Sequence, residues 1–258
     1  MIDWVFFDIG AVLFRDERQA FRAYEIHFEA IRALRPDYSF AEMLREREEL
    51  AAQGTLWILR TLAGRHLDAG RIAALFKETQ AKLDEEYDAN HFVAPGAAEI
   101  IDELSPDFSL GIIANQSREC RRSLARRGLL ERFKVAAISD EIGVSKPDVG
   151  IFRHALAESG ANPGRCVMIG DRADNDVAPA ASLGMKTVQL TWSAVAEQPW
   201  RPERAEEAAF MESLVRQPLF GASRETIGPD RVAADLFGAA RAVRELAHPA
   251  KPKGFSQT

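Results

Sequence analysis

Acidic residues and one lysine follow separate short apolar segments of this chain, and together they could act on a charged substrate. Asp8 ends the segment VFF, residues 115–117 follow LGIIA, Lys146 lies in VSKPD, and Asp171 and Asp176 lie in IGDRADND. Carboxylates brought close together repel unless a cation neutralises them, and oxygen ligands favour a hard ion such as Mg²⁺. A site of this composition suits phosphoryl transfer, because the cations neutralise the phosphate while a carboxylate attacks phosphorus.

The apolar segments that precede these residues read as parallel strands buried on both faces. The predicted strands are residues 2–7, 110–113, 135–138, 166–169 and 187–190. Helical patterns lie between them, at residues 97–104, 118–127, 149–159 and 178–183. This alternation predicts an α/β fold with a doubly wound, Rossmann-like parallel sheet. The active site of such a sheet lies beyond the carboxyl ends of its strands, where the acidic residues are.

A different pattern occupies residues 15–93, which are charged and rich in helix formers. FAEMLREREELAAQG predicts an amphipathic helix with a glycine stop, and further helices are predicted at 56–63 and 69–87. We therefore expect a discontinuous core domain of residues 1–14 and 94–246 and an inserted all-helical cap domain of residues 15–93. Within the core, Trp192 marks a loop, helices are predicted at 205–216 and 231–246, and residues 247–258 read as a disordered tail.

Composition narrows the class of protein. The 258 residues carry a net charge of −6, and no apolar stretch approaches 18 residues. We therefore expect no nucleic-acid partner and no membrane partner. The two cysteines show neither metal-ligand spacing nor a disulfide framework, which favours a protein of the reducing cytoplasm. One group of arginines reads as a solvated helix face: Arg118, Arg121, Arg122, Arg126 and Arg127.

Four segments in order, FFDIGAV, LGIIANQ, VSKPDVGIF and MIGDRADNDVAPAASLGM, resemble the motifs of the haloacid dehalogenase (HAD) superfamily of hydrolases. The resemblance covers residues 2–190 and includes a helical cap of the C1 type. It implies that Asp8 is the nucleophile and that Lys146 is a catalytic residue that binds substrate. It also implies an Mg²⁺ cofactor held by Asp8, the Gly10 carbonyl, Asp171 and Asp176.

Two positions depart from the family pattern. Gly10 stands where the phosphatases have an aspartate that protonates the leaving alcohol and later activates water, an effect typically worth about 10²–10⁴-fold in rate. Asp16 and Glu17 are the nearest acids in sequence that could help. Ala114 replaces a phosphate-binding hydroxyl, and residues 115–117, Asn115, Gln116 and Ser117, are the candidates to bind the substrate instead.

The sequence leaves three functions open. The favoured one is an Mg²⁺-dependent phosphatase that hydrolyses a small phosphorylated metabolite through an aspartyl-phosphate on Asp8. The alternatives are a catalytically impaired binding or regulatory protein, which Gly10 and Ala114 favour, and a metal-free 2-haloacid dehalogenase. Either a monomer or a homodimer is compatible with the sequence.

Two aspartates and three cap residues are assigned local roles. Asp148 is predicted to cap the helix that starts at 149, and Asp174 is predicted to be a turn residue. The spacing of Trp57 and Arg60 favours packing within the cap, whereas a cap that covers the site would bring Thr55, Trp57 and Arg60 toward the substrate.

Overall fold

The computed structural model describes residues 1–191, 198–217 and 227–248. Its centre is a six-stranded parallel sheet with the strand order β5-β4-β1-β6-β7-β8. The strands are β1 (Trp4–Phe7), β4 (Ser109–Ala114), β5 (Val135–Ile138), β6 (Cys166–Gly170), β7 (Lys186–Leu190) and β8 (Arg231–Ala233). The chain moves outward from β1 in both directions, which confirms the predicted doubly wound α/β fold.

Helices cover both faces of this sheet. They are α6 (Ala97–Leu104), α7 (Glu119–Arg126), α8 (Ser139–Ile142), α9 (Val149–Ser159), α10 (Ala178–Ser182) and α12 (Leu236–Ala247). Because strand side chains alternate between faces, Val5 and Phe7 pack in the cluster that includes α6, α7 and α12. Phe6 packs on the other face with α9 and α10. This burial on both sides explains the nearly continuous apolar character of the strands.

A second layer is helical. It comprises α1 (Glu17–Arg32), α2 (Phe40–Ala52), α3 (Ile58–Gly64), α4 (Ala69–Glu85) and α5 (Tyr87–Asn90). The two chain segments that join this layer to the sheet pair with each other as an antiparallel ribbon of β2 (Phe14–Arg15) and β3 (Phe92–Val93). We refer to this layer as the cap and to the ribbon as the hinge.

A late segment of the chain returns to the cap. After β7 the chain forms α11 (Ala205–Arg216), which packs against α1 and α2 before the chain rejoins the sheet at β8. Phe210 is fully buried, with its ring 5.7 Å from the Phe21 ring and 5.2 Å from the Tyr24 ring. The sequence placed residues 198–217 with the core domain, but their side chains share the apolar core of the cap.

Arg47 of α2 adds hydrogen bonds to the same interface. Arg47 is fully buried, and its guanidinium donates to the Ser213 hydroxyl at 3.0 Å and to the Gln217 carbonyl at 2.6 Å. The cap is therefore built from two separate parts of the sequence. The division into domains at residues 14 and 93 stays a prediction.

The predicted helix over 231–246 is wrong at its start. Residues 231–233 pair with β7 as the edge strand β8, and the helix begins only at Leu236, where Asp235 accepts a hydrogen bond from the Gly238 amide at 2.6 Å. The three-residue strand is too short for a period-two pattern to identify it. Trp192 and the last ten residues of the predicted tail, 249–258, lie outside the described residues.

Trp57 does not pack within the cap as predicted, since 74% of its surface is exposed. Arg60 is also exposed, with its guanidinium carbon 5.7 Å from the centre of the Phe76 ring. Asp148 does cap α9, because its carboxylate accepts from the Gly150 amide at 2.7 Å. Within the described residues, no helix is both long and apolar enough to cross a membrane.

Packing of α11 on the cap yields a stability prediction. Truncating Phe210 to alanine should lower the free energy of unfolding by about 3–5 kcal/mol, because it leaves a cavity among buried aromatic rings. Val215→Ala on the same helix is the matched control, since Val215 is 58% exposed and its loss should cost less than about 0.5 kcal/mol. Urea denaturation followed by circular dichroism measures both. Equal losses in the two variants would show that α11 is not held by this contact.

Candidate active site

The first strand delivers Asp8 to the carboxyl edge of the sheet. Asp8 follows β1 directly, and its amide donates to the Ile169 carbonyl of β6 at 2.9 Å, so the backbone is held in register here. Asp8 is 8% exposed as a residue, and its Oδ1 accepts from the Ile9 amide at 2.8 Å. This bond fixes the orientation of the carboxylate.

A single π-helical turn, Ala173–Val177, brings Asp176 to the same place. Such turns are frequent at functional sites. Asp176 is fully buried, and its Oδ2 accepts from the Arg172 amide at 3.0 Å. A Cβ at Gly170 would stand 2.3 Å from the Asp176 side chain, so glycine is needed at the end of β6 for this approach.

Lys146 connects the two carboxylates. Its Nζ lies 2.8 Å from Asp8 Oδ1 and 2.5 Å from Asp176 Oδ1, and the residue is 3% exposed. The Asn115 side chain holds the Lys146 backbone from both sides, because its Nδ2 donates to the Lys146 carbonyl at 2.8 Å and its Oδ1 accepts from the Lys146 amide at 2.7 Å. Asn115, predicted to bind substrate, is thus engaged in positioning the lysine.

A third carboxylate completes the cluster. Asp8, Asp171 and Asp176 can each offer an oxygen within 4.8 Å of the others. The Asp171 carbonyl accepts from the Gln189 side-chain amide at 3.1 Å, which anchors the loop after β6. Asp174, predicted to be a turn residue, forms an ion pair with Arg172 at 2.7 Å.

Burial and mutual repulsion dominate the electrostatics of the cluster. Burial raises the pKa of Asp8 to about 6, with Lys146 opposing and Asp176 reinforcing the increase. Burial and the neighbouring Asp176 and Asp8 raise the pKa of Asp171 well above its ordinary value. Burial would lower the pKa of Lys146, but the two carboxylates outweigh it and raise this pKa. Three ionised carboxylates would therefore carry more negative charge than one ammonium offsets.

The two positions that depart from the family pattern lie beside this cluster. Ala114 is fully buried at the end of β4. Gln116 Oε1 accepts from the Tyr87 hydroxyl at 2.9 Å, which links the loop after β4 to the cap. Ser117 Oγ accepts from the Glu119 amide at 3.3 Å at the start of α7. Substrate binding by these side chains stays a prediction.

Asp16, one of the two acids nearest in sequence to the departures from the family pattern, lies close to Gly10. It immediately precedes α1, yet its carboxylate lies against Gly10: a Cβ added at Gly10 would stand 2.7 Å from Asp16 Oδ2. Burial raises the pKa of Asp16 to about 7, and the charges of Glu17 and Asp8 add to the increase. A chain reversal at residues 9–14 brings Asp16 close to Gly10. The residue spacings that identify strands and helices do not predict such a reversal.

An open cleft of about 640 Å³ lies between the cap and the sheet edge. Polar side chains from both layers line it: Asp16, Gln19, Gln80, Asp84, Asn115, Gln116, Ser117, Ser139, Asp140 and Ser145. Among the described residues, neither a lysine nor an arginine belongs to this lining. Thr55, Trp57 and Arg60 do not line it either, so the cap contributes to the cleft through α1 and α4.

The arginine group near α7 is paired with acids. Arg118 contacts Asp140 and Arg121 contacts Glu141, both at 2.7 Å. The others pair with Glu119 or with Asp88. Arg118, Arg122 and Arg126 are more than half exposed, so the predicted solvated face is present, and its arginines form ion pairs with acids of α7, α8 and α5.

The support of the Lys146 backbone by Asn115 can be tested. Asn115→Ala removes two hydrogen bonds and leaves the Lys146 amide and carbonyl without that partner, so the free energy of unfolding should fall by about 1–3 kcal/mol. Ser117→Ala, which removes one longer bond in the same loop, should cost less than about 1 kcal/mol. Urea denaturation of both variants gives the comparison, and equal costs would contradict the assigned role of Asn115.

Comparison with known proteins places this site in a family. A family model for haloacid dehalogenase-like hydrolases matches residues 2–184. The chain is 28% identical over 202 residues to pyrimidine 5'-nucleotidase YjjG of Escherichia coli (strain K12), covering 73% of this chain and 85% of that protein. It is 34% identical over 90 residues to a glyceraldehyde 3-phosphate phosphatase of Methanothermobacter thermautotrophicus, but that match spans 34% of this chain and 40% of that protein.

A solved structure of a HAD phosphatase has a similar fold. A HAD phosphatase from Thermococcus onnurineus superposes with a TM-score of 0.55 at 20% identity, covering 94% of this chain and 98% of that one. The family match spans the hinge, helices α1 to α5 of the cap and the three clustered carboxylates Asp8, Asp171 and Asp176. The chain belongs to the haloacid dehalogenase-like hydrolase family.

Proposed function

We propose that this hydrolase is an Mg²⁺-dependent phosphatase that acts on a small phosphomonoester through an aspartyl-phosphate on Asp8. The observation that carries the proposal is the buried Lys146 ammonium between Asp8 and Asp176, with the Asp171 carboxylate beside them. Both the nucleotidase and the phosphatase with which the chain shares sequence are named for removal of phosphate, which supports the same reaction class.

The donor set fits a divalent cation. Three carboxylates face one ammonium, and carboxylate oxygens are the ligands that Mg²⁺ prefers. Asp8, Asp171 and Asp176 would hold the ion, and the Gly10 carbonyl is the fourth proposed ligand. When bound, Mg²⁺ would offset the phosphate charge and so permit a carboxylate to approach it.

Residues of the chain orient the nucleophile and stabilise charge during the reaction. The Ile9 amide and the Lys146 ammonium both contact Asp8 Oδ1, so the carboxylate is fixed before the substrate arrives. Asp8 attacks phosphorus and forms a new P–O bond while the ester P–O bond breaks, and the leaving oxygen takes up a proton to give the alcohol. Water then attacks phosphorus, its proton is removed, and Asp8 and inorganic phosphate are released. Lys146 stabilises negative charge on the phosphoryl oxygens in both steps.

Gly10 favours a second candidate, a catalytically impaired binding protein, because the carboxyl that normally transfers protons is absent from this position. The dehalogenase alternative is less well supported. A haloacid is itself a carboxylate, and the buried Asp171 and Asp176 would repel it in a site without metal.

Phosphate release from p-nitrophenyl phosphate and a panel of sugar phosphates separates these functions. The wild-type protein should turn over with Mg²⁺ and lose activity in EDTA. Asp8→Asn should reduce the rate to background, because an amide cannot form the aspartyl-phosphate. A wild-type protein that binds Mg²⁺ but releases no phosphate would favour the impaired alternative, and chloride release from a 2-haloacid without metal would favour the dehalogenase.

The acidic lining of the cleft predicts which leaving groups are accepted. A second anionic group on the substrate would face Asp84 without a lining cation to pair with, whereas Asp140 is already paired with Arg118. Neutral polyol phosphates should therefore exceed bisphosphates and phosphorylated acids in kcat/KM by about fivefold, as expected for an unfavourable contact of about 1 kcal/mol. Asp84→Asn keeps the shape of the side chain but removes its charge, so this variant should show a smaller difference in kcat/KM between neutral and doubly charged substrates. A preference for the doubly charged substrates would contradict this assignment of the cleft.

A further inference from the structure

Asp8 needs a partner that transfers protons, and Gly10 cannot be that partner. A leaving alkoxide must be protonated and the attacking water must lose a proton, as described above. Resting on the proposed phosphatase function, we propose that Asp16 supplies the proton-transferring carboxyl that Gly10 lacks. The function of the missing side chain would then be performed by an acid six residues later, at the start of the cap.

The space beside Gly10 is the first observation. A Cβ at this position would stand 2.7 Å from Asp16 Oδ2 and 3.3 Å from Gln116 Nε2. The Asp16 carboxylate thus occupies the place into which a side chain at residue 10 would extend. The backbone at Gly10 is not in the left-handed region, so available space rather than backbone conformation sets this limit.

The second observation is that Asp16 does not perform the usual role of an acid at its position. It is the N-cap residue of α1, but its side chain makes no capping hydrogen bond to the first turn. In contrast, the N-cap side chains of four other helices do accept such bonds: Ser39, Asp68, Asp148 and Asp235. A cap is typically worth about 1 kcal/mol, so an aspartate that forgoes it indicates another use of the carboxylate.

The surrounding chain fixes this orientation. Residues 9–14 form a tight reversal in which the Phe14 amide donates to the Ile9 carbonyl at 2.8 Å, bringing the hinge back over the strand end. Arg15 and Glu17, the neighbours of Asp16, are buried and paired, with Arg15 Nε 3.0 Å from Glu17 Oε1. Asp16 itself lines the cleft. Its carboxylate therefore lies at the wall of the cleft and beside Gly10, two residues after Asp8.

The proposed chemistry is balanced in both steps. As Asp8 forms its bond to phosphorus and the ester P–O bond breaks, the Asp16 carboxyl gives its proton to the leaving oxygen. When water attacks the aspartyl-phosphate, the Asp16 carboxylate takes a proton from that water and the bond between Asp8 and phosphorus breaks. Asp16 returns to its protonated form, and the products are an alcohol and inorganic phosphate.

Asp16→Asn separates the two steps when leaving groups are compared. p-Nitrophenolate leaves without a proton, so this variant should release p-nitrophenol in a burst of one equivalent per enzyme and then slowly. Phosphorylated Asp8 should accumulate and be visible in the intact mass. An alkyl phosphate such as glycerol phosphate needs the acid from the start, so its turnover should fall by about 10²-fold or more without a burst.

Two further variants complete the design. Asp68→Asn changes an aspartate at the start of another cap helix, away from Gly10, and should keep wild-type kinetics for both substrates. Gly10→Asp combined with Asp16→Ala returns the carboxyl to residue 10 and clears the 2.7 Å approach, so it should restore alkyl phosphate turnover at least tenfold over Asp16→Asn. This double variant also decides the question if Asp16→Asn folds poorly.

The possible outcomes are distinguishable. A wild-type protein that is inactive on every substrate would overturn the proposed phosphatase function, and the role of Asp16 with it. An active wild type with an equally active Asp16→Asn would overturn the role of Asp16 alone. Equal losses on p-nitrophenyl and alkyl phosphates, with no phosphorylated Asp8 and no gain in the double variant, would show that Asp16 is a structural residue of the hinge.

Discussion

The buried ammonium of Lys146 is the interaction on which the site depends. It joins an acid at the end of β1 to an acid in the turn after β6, and its backbone is held by Asn115 after β4. Buried carboxylates without a cation would be strongly destabilising, since removing one partner from such a pair costs about 3–5 kcal/mol. Three strand ends and the loop after β5 are therefore fixed relative to one another before any substrate binds.

The cap is tied to this centre at more points than a simple insertion provides. Besides the hinge ribbon, the Tyr87 hydroxyl donates to Gln116 in the loop after β4, and side chains of residues 198–217 pack in the cap core. The chain thus passes between sheet and cap four times, twice at the hinge and twice around α11.

The sheet and the carboxylate cluster could be predicted from sequence because most of their determinants are local. Each central strand is a short apolar run, and parallel order brings Asp8 and Asp171, which directly follow β1 and β6, to the same edge of the sheet. Asp176 reaches this edge through the π-helical turn, and Lys146 through the loop after α8. The position of α11 could not be predicted in this way, because its apolar face fits either the sheet or the cap. Likewise, a sequence shows that Asn115 follows a strand, but not that its amide pairs with a backbone 31 residues away.

Asp16 shows why a missing motif residue is a weak argument for lost activity. A carboxyl can reach a given point in space from any chain segment that passes it, and a glycine opens that point to its neighbours. The acid in the family pattern belongs to the rigid strand end, whereas Asp16 belongs to the first turn of the cap. If Asp16 transfers the proton, any motion of α1 changes its distance from Asp8, so the chemical step and the position of the cap cannot be independent. The hinge pair of Arg15 and Glu17 then affects catalysis without touching the substrate, because it sets where that carboxyl lies.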